Sequence, residues 1–212
     1  MAQDLAAWRA FIPPFTAAVA HIAERLGDTV IYQVWNEGDQ ASAAAVGLPA
    51  IAYAELLDAC VETIRQRAPR ASIITQGHVS GDPNYWRRAQ SLSRHASTLS
   101  GVAVHPYGIG GGSYGWLGEV RAVVNAWRNA THLPLWFTEF GVCGGVATKL
   151  SDKPVADYAR SFLEQAAAQN VFAAIWYAYA TGMDSCKGLT TLGQKGELWQ
   201  VFETFASLAR HS

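Results

Sequence analysis

Apolar positions along the chain follow two different periods. Short apolar runs at 29–35, 71–75, 102–105, 135–138 and 172–179 predict strands, and the nearly continuous run at 29–35 suggests a strand that is buried on both faces. Between them, apolar residues recur every three or four positions, which predicts helices. Proline is tolerated in the first turn of a helix, so the leading helix is predicted to begin at Pro13 and Pro14 and to end at Gly27. Later helices are predicted around 57–64, 85–99, 116–129, 155–168 and 198–210.

This order of elements defines the expected fold class. Five strands alternating with helices indicate an α/β protein with a parallel sheet and right-handed crossovers, either an open doubly wound sheet or part of a closed barrel. No composition shift or long linker divides the chain, and 212 residues with half of them apolar can bury one sizeable core. We therefore expect residues 1–212 to form a single domain.

Charge and cysteine content narrow the possible functions. The formal net charge is −1 and lysine and arginine do not cluster, which argues against binding to nucleic acid or to an anionic membrane. Three cysteines are too few and too scattered for a disulfide scaffold or a zinc ribbon. The first residues lack the features of a signal peptide, and no apolar run reaches the roughly 20 residues that span a bilayer. A soluble chain of undefined cellular location is expected, and a longer parent protein could still be secreted.

Chemically active side chains stand where the predicted strands end. In parallel α/β folds, functional groups lie at the carboxyl ends of the strands. The five strand ends read Trp35-Asn36-Glu37, Gln76-Gly77-His78, His105-Pro106-Tyr107, Thr138-Glu139-Phe140-Gly141 and Trp176-Tyr177-Ala178-Tyr179. Two glutamates among aromatic and amide groups suit glycosidic cleavage, which needs one acid to protonate the leaving oxygen and one carboxylate for the anomeric carbon.

Four of these motifs resemble glycoside hydrolase clan A, the retaining (β/α)₈-barrel enzymes that include cellulases, mannanases, xylanases and β-glycosidases. The matching motifs contain Asn36-Glu37, His105-Pro106-Tyr107, Thr138-Glu139 and Trp176, in the family's order and on its fourth, sixth, seventh and eighth strands. The resemblance implies an incomplete (β/α)₈ barrel made of the units that carry strands four to eight.

The resemblance also implies roles for individual residues. Glu37 would be the general acid/base and Glu139 the nucleophile of a retaining double displacement. The substrate-binding residues would be Trp35, Asn36, His105, Tyr107 and Trp176. Among them, Asn36 would bind the sugar 2-hydroxyl, His105 and Tyr107 would orient Glu139, and Trp176 would form the floor of the sugar site. No metal and no organic cofactor is implied, and the expected partner is an oligo- or polysaccharide.

The chain departs from this family in its number of strands. A full barrel has eight strands in about 250 residues, whereas five are predicted here. Two strand edges, near 29–35 and 172–179, would leave backbone groups unpaired unless a second copy, another chain or a local rearrangement covered them. The alternative function is therefore a weakly active or inactive barrel fragment that binds carbohydrate or assembles with another chain.

Several residues have simpler interpretations. Glu37 could cap a helix or pair with a lysine, Glu139 could form a buried ion pair, and His105 could be a core histidine. His78 and Asp82 are expected to be structural or solvent-facing, and Trp136 and Cys60 to belong to the core.

Two loop features remain open. The glycine-rich segment 110–115 fits the dinucleotide-binding pattern G-x-G-x-x-G, but His105-Pro106-Tyr107 separates it from the strand and the loop is too long for that tight turn. Cys143 and Cys186 follow strands that end on the same rim, so they could form a disulfide, although only their location favours it.

Overall fold

The computed structural model describes residues 4–40, 47–79, 83–107, 120–144 and 150–209. Its helices are α1 (Leu5–Leu26), α2 (Ala50–Arg67), α3 (Asn84–Leu92), α4 (Val120–Arg128), α5 (Asp152–Ala168) and α6 (Glu197–Ala209). Its strands are β1 (Ile31–Gln33), β2 (Ser72–His78), β3 (Gly101–Val104), β4 (Leu135–Phe140), β5 (Ala173–Trp176), β6 (Thr190–Thr191) and β7 (Gln194–Lys195). Residues 108–115, the first turn predicted for the 116–129 helix, and Asp82 lie outside the described residues.

The first five strands form a sheet in the order β1-β2-β3-β4-β5, and β6 and β7 form a separate antiparallel hairpin. The pairs β1–β2, β2–β3 and β4–β5 are parallel. A helix follows each of β1 to β4 along the chain, and α6 follows β5 after the hairpin, so the predicted α/β class with five parallel strands is confirmed. The β6–β7 hairpin was not predicted, because its strands are only two residues long and carry no extended apolar run.

The chain divides into two compact units. Unit 1 comprises residues 1–104 and 126–135, and unit 2 comprises residues 105–125 and 136–212. In unit 1, β1 pairs with β2 and β2 with β3, and the N–H of Val102 donates to the carbonyl oxygen of Pro134 over 2.9 Å, just before β4 begins. In unit 2, the rest of β4 pairs with β5. Among the described residues, no helix combines the length and the apolar character needed to cross a membrane.

The leading helix starts earlier than the sequence predicted. Asp4 caps α1, since its Oδ1 accepts the N–H groups of Ala6 and Ala7 at 3.0 and 3.1 Å. Pro13 and Pro14 therefore lie inside α1 rather than at its start. The added turns are held by Trp8, which is 3% exposed and donates its indole N–H to the carbonyl oxygen of Ala52 on α2. This tertiary contact favours a helix across a proline pair that would otherwise disrupt it.

Each unit has its own apolar core. In unit 1, α2 buries a stripe at helical spacing that consists of Tyr53, Leu57, Cys60 and Ile64. Cys60 is 1% exposed, so its predicted core position is confirmed. In unit 2, Phe140 of β4 stacks on Phe162 of α5 with ring centroids 4.0 Å apart. Trp136 is 6% exposed, which confirms that it belongs to the core.

Candidate functional site

In unit 1, β1 ends in a tight turn that carries Trp35, Asn36 and Glu37. The strand stops at Gln33, two residues earlier than predicted, because Trp35 takes a positive φ of 77° that no regular strand accommodates. Glu37 has a positive φ of 49°. Its N–H donates to the carbonyl oxygen of Gly77 over 3.0 Å, which ties the turn to the end of β2.

The Glu37 carboxylate is half-buried and accepts a hydrogen bond from a neighbour. Gln40 Nε2 donates to Glu37 Oε2 over 3.4 Å. Asn36 is exposed, and its Oδ1 lies 3.4 Å from Gln33 Nε2. A glutamate with this partial exposure and an exposed amide beside it can exchange protons with a bound ligand.

Trp35 belongs to an aromatic cluster beside the turn. Its ring meets those of Trp8 and Phe15 edge to face, each at a centroid distance of 5.5 Å. Phe11 lies 6.2 Å away, also edge to face. Trp35 is half-buried by these contacts, which fix the ring in one orientation while leaving part of it accessible.

In unit 2, Glu139 lies near the end of β4 between a phenol and an imidazole. The O–H of Tyr107 donates to Glu139 Oε2 over 2.5 Å. The same oxygen lies 3.6 Å from Nδ1 of His105, whose side chain is fully buried, and the Glu139 side chain is 23% exposed. His105 Nε2 is 3.1 Å from the hydroxyl oxygen of Thr138. Unit 2 therefore brings together three of the predicted site residues, His105, Tyr107 and Glu139.

The backbone after Glu139 leaves no room for a side chain. A Cβ on Gly141 would lie 2.2 Å from the carbonyl oxygen of Tyr177, so only glycine fits there. The N–H of Tyr177 donates to the carbonyl oxygen of Phe140 over 2.8 Å. This close approach joins the end of β4 to the segment that follows β5 and so holds the backbone next to Glu139.

Trp176 ends β5 and is 5% exposed. Its indole N–H donates to the carbonyl oxygen of Lys187 over 2.8 Å, and its ring meets Phe140 edge to face at 5.2 Å. The Tyr177–Ala178 peptide bond that follows is cis. These contacts hold the Trp176 ring in a fixed orientation near the end of β5.

The loop that contacts Trp176 is crosslinked. Cys143 and Cys186 form a disulfide, which resolves the question that the sequence left open. The Lys187 ammonium group donates to the carbonyl oxygen of Leu150 over 2.8 Å and lies 2.9 Å from Asp152 Oδ1. Lys187 itself is 8% exposed, so the loop is bound to unit 2 by a buried cation as well as by a covalent bond.

One group of buried polar residues in unit 1 was not predicted to belong to the site. Gln76 and His78 at the end of β2 are both fully buried, so the solvent-facing alternative for His78 is wrong. Asp39 also lies in this group, with its Oδ2 3.7 Å from His78 Nδ1 and a side-chain exposure of 1%. The available signal was the position of Gln76 and His78 at a strand end next to the strand that carries Glu37.

Solved structures similar to this chain include a xylosidase and a mannosidase. A monomeric β-xylosidase from Caulobacter crescentus CB15 is 18% identical with a TM-score of 0.69, and the match covers 92% of this chain and 46% of that one. The exo-β-1,4-mannosidase Op5Man5 from Opitutaceae bacterium strain TAV5 is 18% identical with a TM-score of 0.65, covering 95% and 41%. Cel5A from Thermotoga maritima, solved with cellobiose, is 17% identical with a TM-score of 0.60, covering 88% and 62%.

These structural matches concern the fold, and they confirm the predicted incomplete (β/α)₈ barrel. The chain spans about half the length of the β-xylosidase that it matches. No curated protein sequence matches the chain. A family model described as the glycosyl hydrolase catalytic core matches residues 14–205, which is most of the sequence. The chain therefore belongs to the glycosyl hydrolase catalytic core family.

Proposed function

We propose that this chain carries the catalytic carboxylates of a retaining β-glycoside hydrolase, with Glu139 as the nucleophile and Glu37 as the general acid/base. The observation that carries the proposal is the environment of Glu139. Tyr107 donates a 2.5 Å hydrogen bond to Glu139 Oε2, and His105 approaches the same oxygen. A carboxylate that accepts such a bond is held in one orientation, which a nucleophile aimed at an anomeric carbon requires.

The proposed reaction is a double displacement. A Glu139 oxygen bonds to the anomeric carbon as the bond between that carbon and the leaving oxygen breaks. The leaving oxygen takes the proton of Glu37. Glu37, now a carboxylate, then removes a proton from water. The water oxygen bonds to the anomeric carbon, and the ester to Glu139 breaks and restores the carboxylate. Two inversions at one carbon leave its configuration unchanged.

The remaining predicted residues serve substrate binding in this proposal. Asn36 is exposed, and its amide can hydrogen-bond a sugar hydroxyl. His105 and Tyr107 orient Glu139. Trp35 offers the accessible part of its indole ring to the apolar face of a sugar ring. Trp176 is 5% exposed, so its role in this proposal is to hold the end of β5. Because the similar structures include a β-xylosidase, a β-mannosidase and a protein crystallised with cellobiose, the substrate class to test is β-linked xylose, mannose and glucose.

The proposal is tested with aryl β-xylosides, β-mannosides and β-glucosides and with soluble xylan, mannan and glucan. Glu37→Gln should lower turnover by about 10²–10⁴-fold, the usual contribution of general acid/base catalysis. Glu139→Gln should lower it at least as far. Glu55→Gln is the matched control, because Glu55 forms a surface ion pair with Arg9. Turnover that survives both active-site changes would refute the assigned roles.

The stereochemical course and the nucleophile are tested separately. Proton NMR at early times should show that the released sugar keeps the β configuration. A 2-deoxy-2-fluoro glycoside with a good leaving group should label the chain, and peptide mass spectrometry should find the label on Glu139. An α product would exclude a retaining mechanism, and a label on another residue would exclude Glu139 as the nucleophile.

A second candidate function, assembly with another chain, is favoured by one observation in unit 1. An apolar groove of about 360 Å³ runs between α1 and β1 and is lined by residues that include Ile22, Leu26 and Ile31. These three side chains are 49%, 41% and 49% exposed. We propose that a second copy or a partner chain covers this edge, since exposed strand edges favour pairing with another strand. Light scattering that finds a stable, well-folded monomer with full activity would exclude this candidate.

A further inference from the structure

A buried polar cluster lies directly behind the turn that carries Glu37, and the proposed mechanism gives it no role. We define the Gln76 cluster as Gln76, His78 and Tyr53. All three residues are 0% exposed. Buried polar groups destabilise a fold unless they are hydrogen-bonded, so the bonds of this cluster indicate what it holds in place.

The backbone fixes the orientation of the Gln76 amide. The N–H of Gly38 donates to Gln76 Oε1 over 2.9 Å, and a backbone N–H can only donate. The amide oxygen therefore faces Gly38, and the amide nitrogen faces His78 Nδ1 at 3.3 Å. Since the amide nitrogen also only donates, His78 Nδ1 is the acceptor of this contact. His78 thus holds Gln76 in the orientation that Gly38 requires.

The cluster is also anchored from behind. The N–H of Gln76 donates to the Tyr53 hydroxyl over 2.7 Å, and that hydroxyl lies 3.4 Å from the carbonyl oxygen of Val34, just after β1. Burial raises the pKa of Tyr53 well above its ordinary value, so the hydroxyl keeps its proton and can donate it to Val34. The Gln76 side chain therefore projects from a rigid support.

Two consecutive N–H groups attach the turn to β2. Glu37 donates to the carbonyl oxygen of Gly77, and Gly38 donates to the side chain of Gln76. A Cβ on Gly38 would lie 2.6 Å from Gln76 Oε1, so the contact leaves no space for adjustment. Beyond Gly38, the N–H of Val79 donates to Asp39 Oδ1 over 3.3 Å, which extends the attachment by one residue.

We propose that Gln76, oriented by His78, is a positioning residue for Glu37 and sets the direction from which its carboxyl group delivers a proton. The inference rests on the proposed function, because it assumes that Glu37 is the general acid. Gln76 acts on the backbone of the turn and touches no reacting atom. Its loss should therefore impair proton delivery to the leaving group and spare the other steps.

Leaving-group dependence separates this role from a merely structural one. Dinitrophenolate departs with little protonation, whereas phenolate needs an acid. Gln76→Met keeps the length of the side chain and removes the amide. It should lower kcat/KM for phenyl β-glycosides by about 10²-fold, the order of effect of a 1 Å misplacement, and change the dinitrophenyl substrates by less than about threefold. Equal losses on both substrates, or no loss on either, would overturn the inference.

Gln76→Glu serves as the conservative variant and as the alternative if the methionine variant does not fold. A protonated carboxyl group at this position offers Gly38 an acceptor and His78 a donor, as the amide does. Gln76→Glu should therefore recover most of the loss on phenyl glycosides at mildly acidic pH. A glutamate variant that is as impaired as Gln76→Met under these conditions would show that the hydrogen-bond pattern is not what matters.

Amide hydrogen exchange gives a test that needs no activity. The Gly38 amide should exchange at least about tenfold faster in Gln76→Met than in the unaltered chain, while Ile74 in the middle of β2 keeps its protection. Unchanged protection at Gly38 would overturn the inference alone. Failure of the unaltered chain to hydrolyse any of the glycosides would instead overturn the proposed function and, with it, the catalytic part of the inference.

Discussion

Removing the Cys143–Cys186 disulfide should lower the stability of the chain by a calculable amount. The two cysteines are 43 positions apart, and the crosslink restricts the unfolded chain over that loop. The loop-entropy relation gives about 4 kcal/mol at 25 °C for this length. The neighbouring backbone contacts, Lys187 N–H to the Val142 carbonyl at 2.9 Å and Gly144 N–H to the Ser185 carbonyl at 3.0 Å, do not depend on the sulfur atoms. Most of the loss should therefore come from the unfolded state.

The assay is urea unfolding of the double variant Cys143→Ser/Cys186→Ser, followed by circular dichroism. We expect the free energy of unfolding to fall by about 2–4 kcal/mol, with 4 kcal/mol as the ceiling because the unfolded chain retains some structure. The matched control is the unaltered chain with a reducing agent, which should lose as much, whereas the double variant should not respond to the reductant. A decrease below about 1 kcal/mol in both experiments would refute the reasoning from loop length.

Two further predictions concern buried groups in unit 1. Asp58 is 6% exposed and accepts hydrogen bonds from the Ser93 hydroxyl and the N–H groups of Arg94 and His95. In thermal unfolding, Asp58→Ala should therefore lower the free energy of unfolding by about 3 kcal/mol and Asp58→Asn by clearly less. Equal losses for the two variants would show that these hydrogen bonds contribute little. Burial raises the pKa of the Cys60 thiol from 9.0 to about 12, so the folded chain keeps a proton that the unfolded chain releases above pH about 9. The free energy of unfolding should therefore fall by about 1.4 kcal/mol per pH unit between pH about 9 and pH about 12. In urea unfolding, Cys60→Ala should lose stability less steeply over this pH range. An equal pH dependence of the free energy of unfolding in the two proteins would contradict this.

Much of the fold could be predicted because the apolar pattern was consistent over long segments. The strands β2, β3 and β4 and the helix predicted around 57–64 bury apolar positions that the sequence marks clearly, whereas Ile31 of β1 and Ile175 of β5 are 49% and 53% exposed. Element ends were less predictable, because they depend on contacts between distant residues. Trp8 anchors the start of α1 to α2, and the positive φ of Trp35 ends β1 early. Neither effect leaves a local signal in the sequence.

The candidate site shows the same division. Glu139, Tyr107 and His105 were predicted from strand-end motifs, and unit 2 brings them together. Gln76 and His78 were noted at a strand end but not assigned to the site. Their proposed role depends on a hydrogen bond from the Gly38 backbone N–H. Every residue except proline has such an N–H, so the sequence does not show which one a side chain will bind. The reactive side chains could therefore be predicted from the sequence, whereas the residues that hold the backbone next to them could not.

The positive φ of Glu37 lowers the stability of the fold at a position where the proposed mechanism needs a carboxylate. A residue with a side chain that is held in the left-handed region costs on the order of 1 kcal/mol more than glycine there. Replacing Glu37 by glycine should therefore make the chain more resistant to heat while it deletes a carboxylate. Laboratory selection for thermal stability alone should enrich Glu37→Gly. Selection that also requires glycoside hydrolysis should eliminate it if Glu37 is the proposed general acid/base.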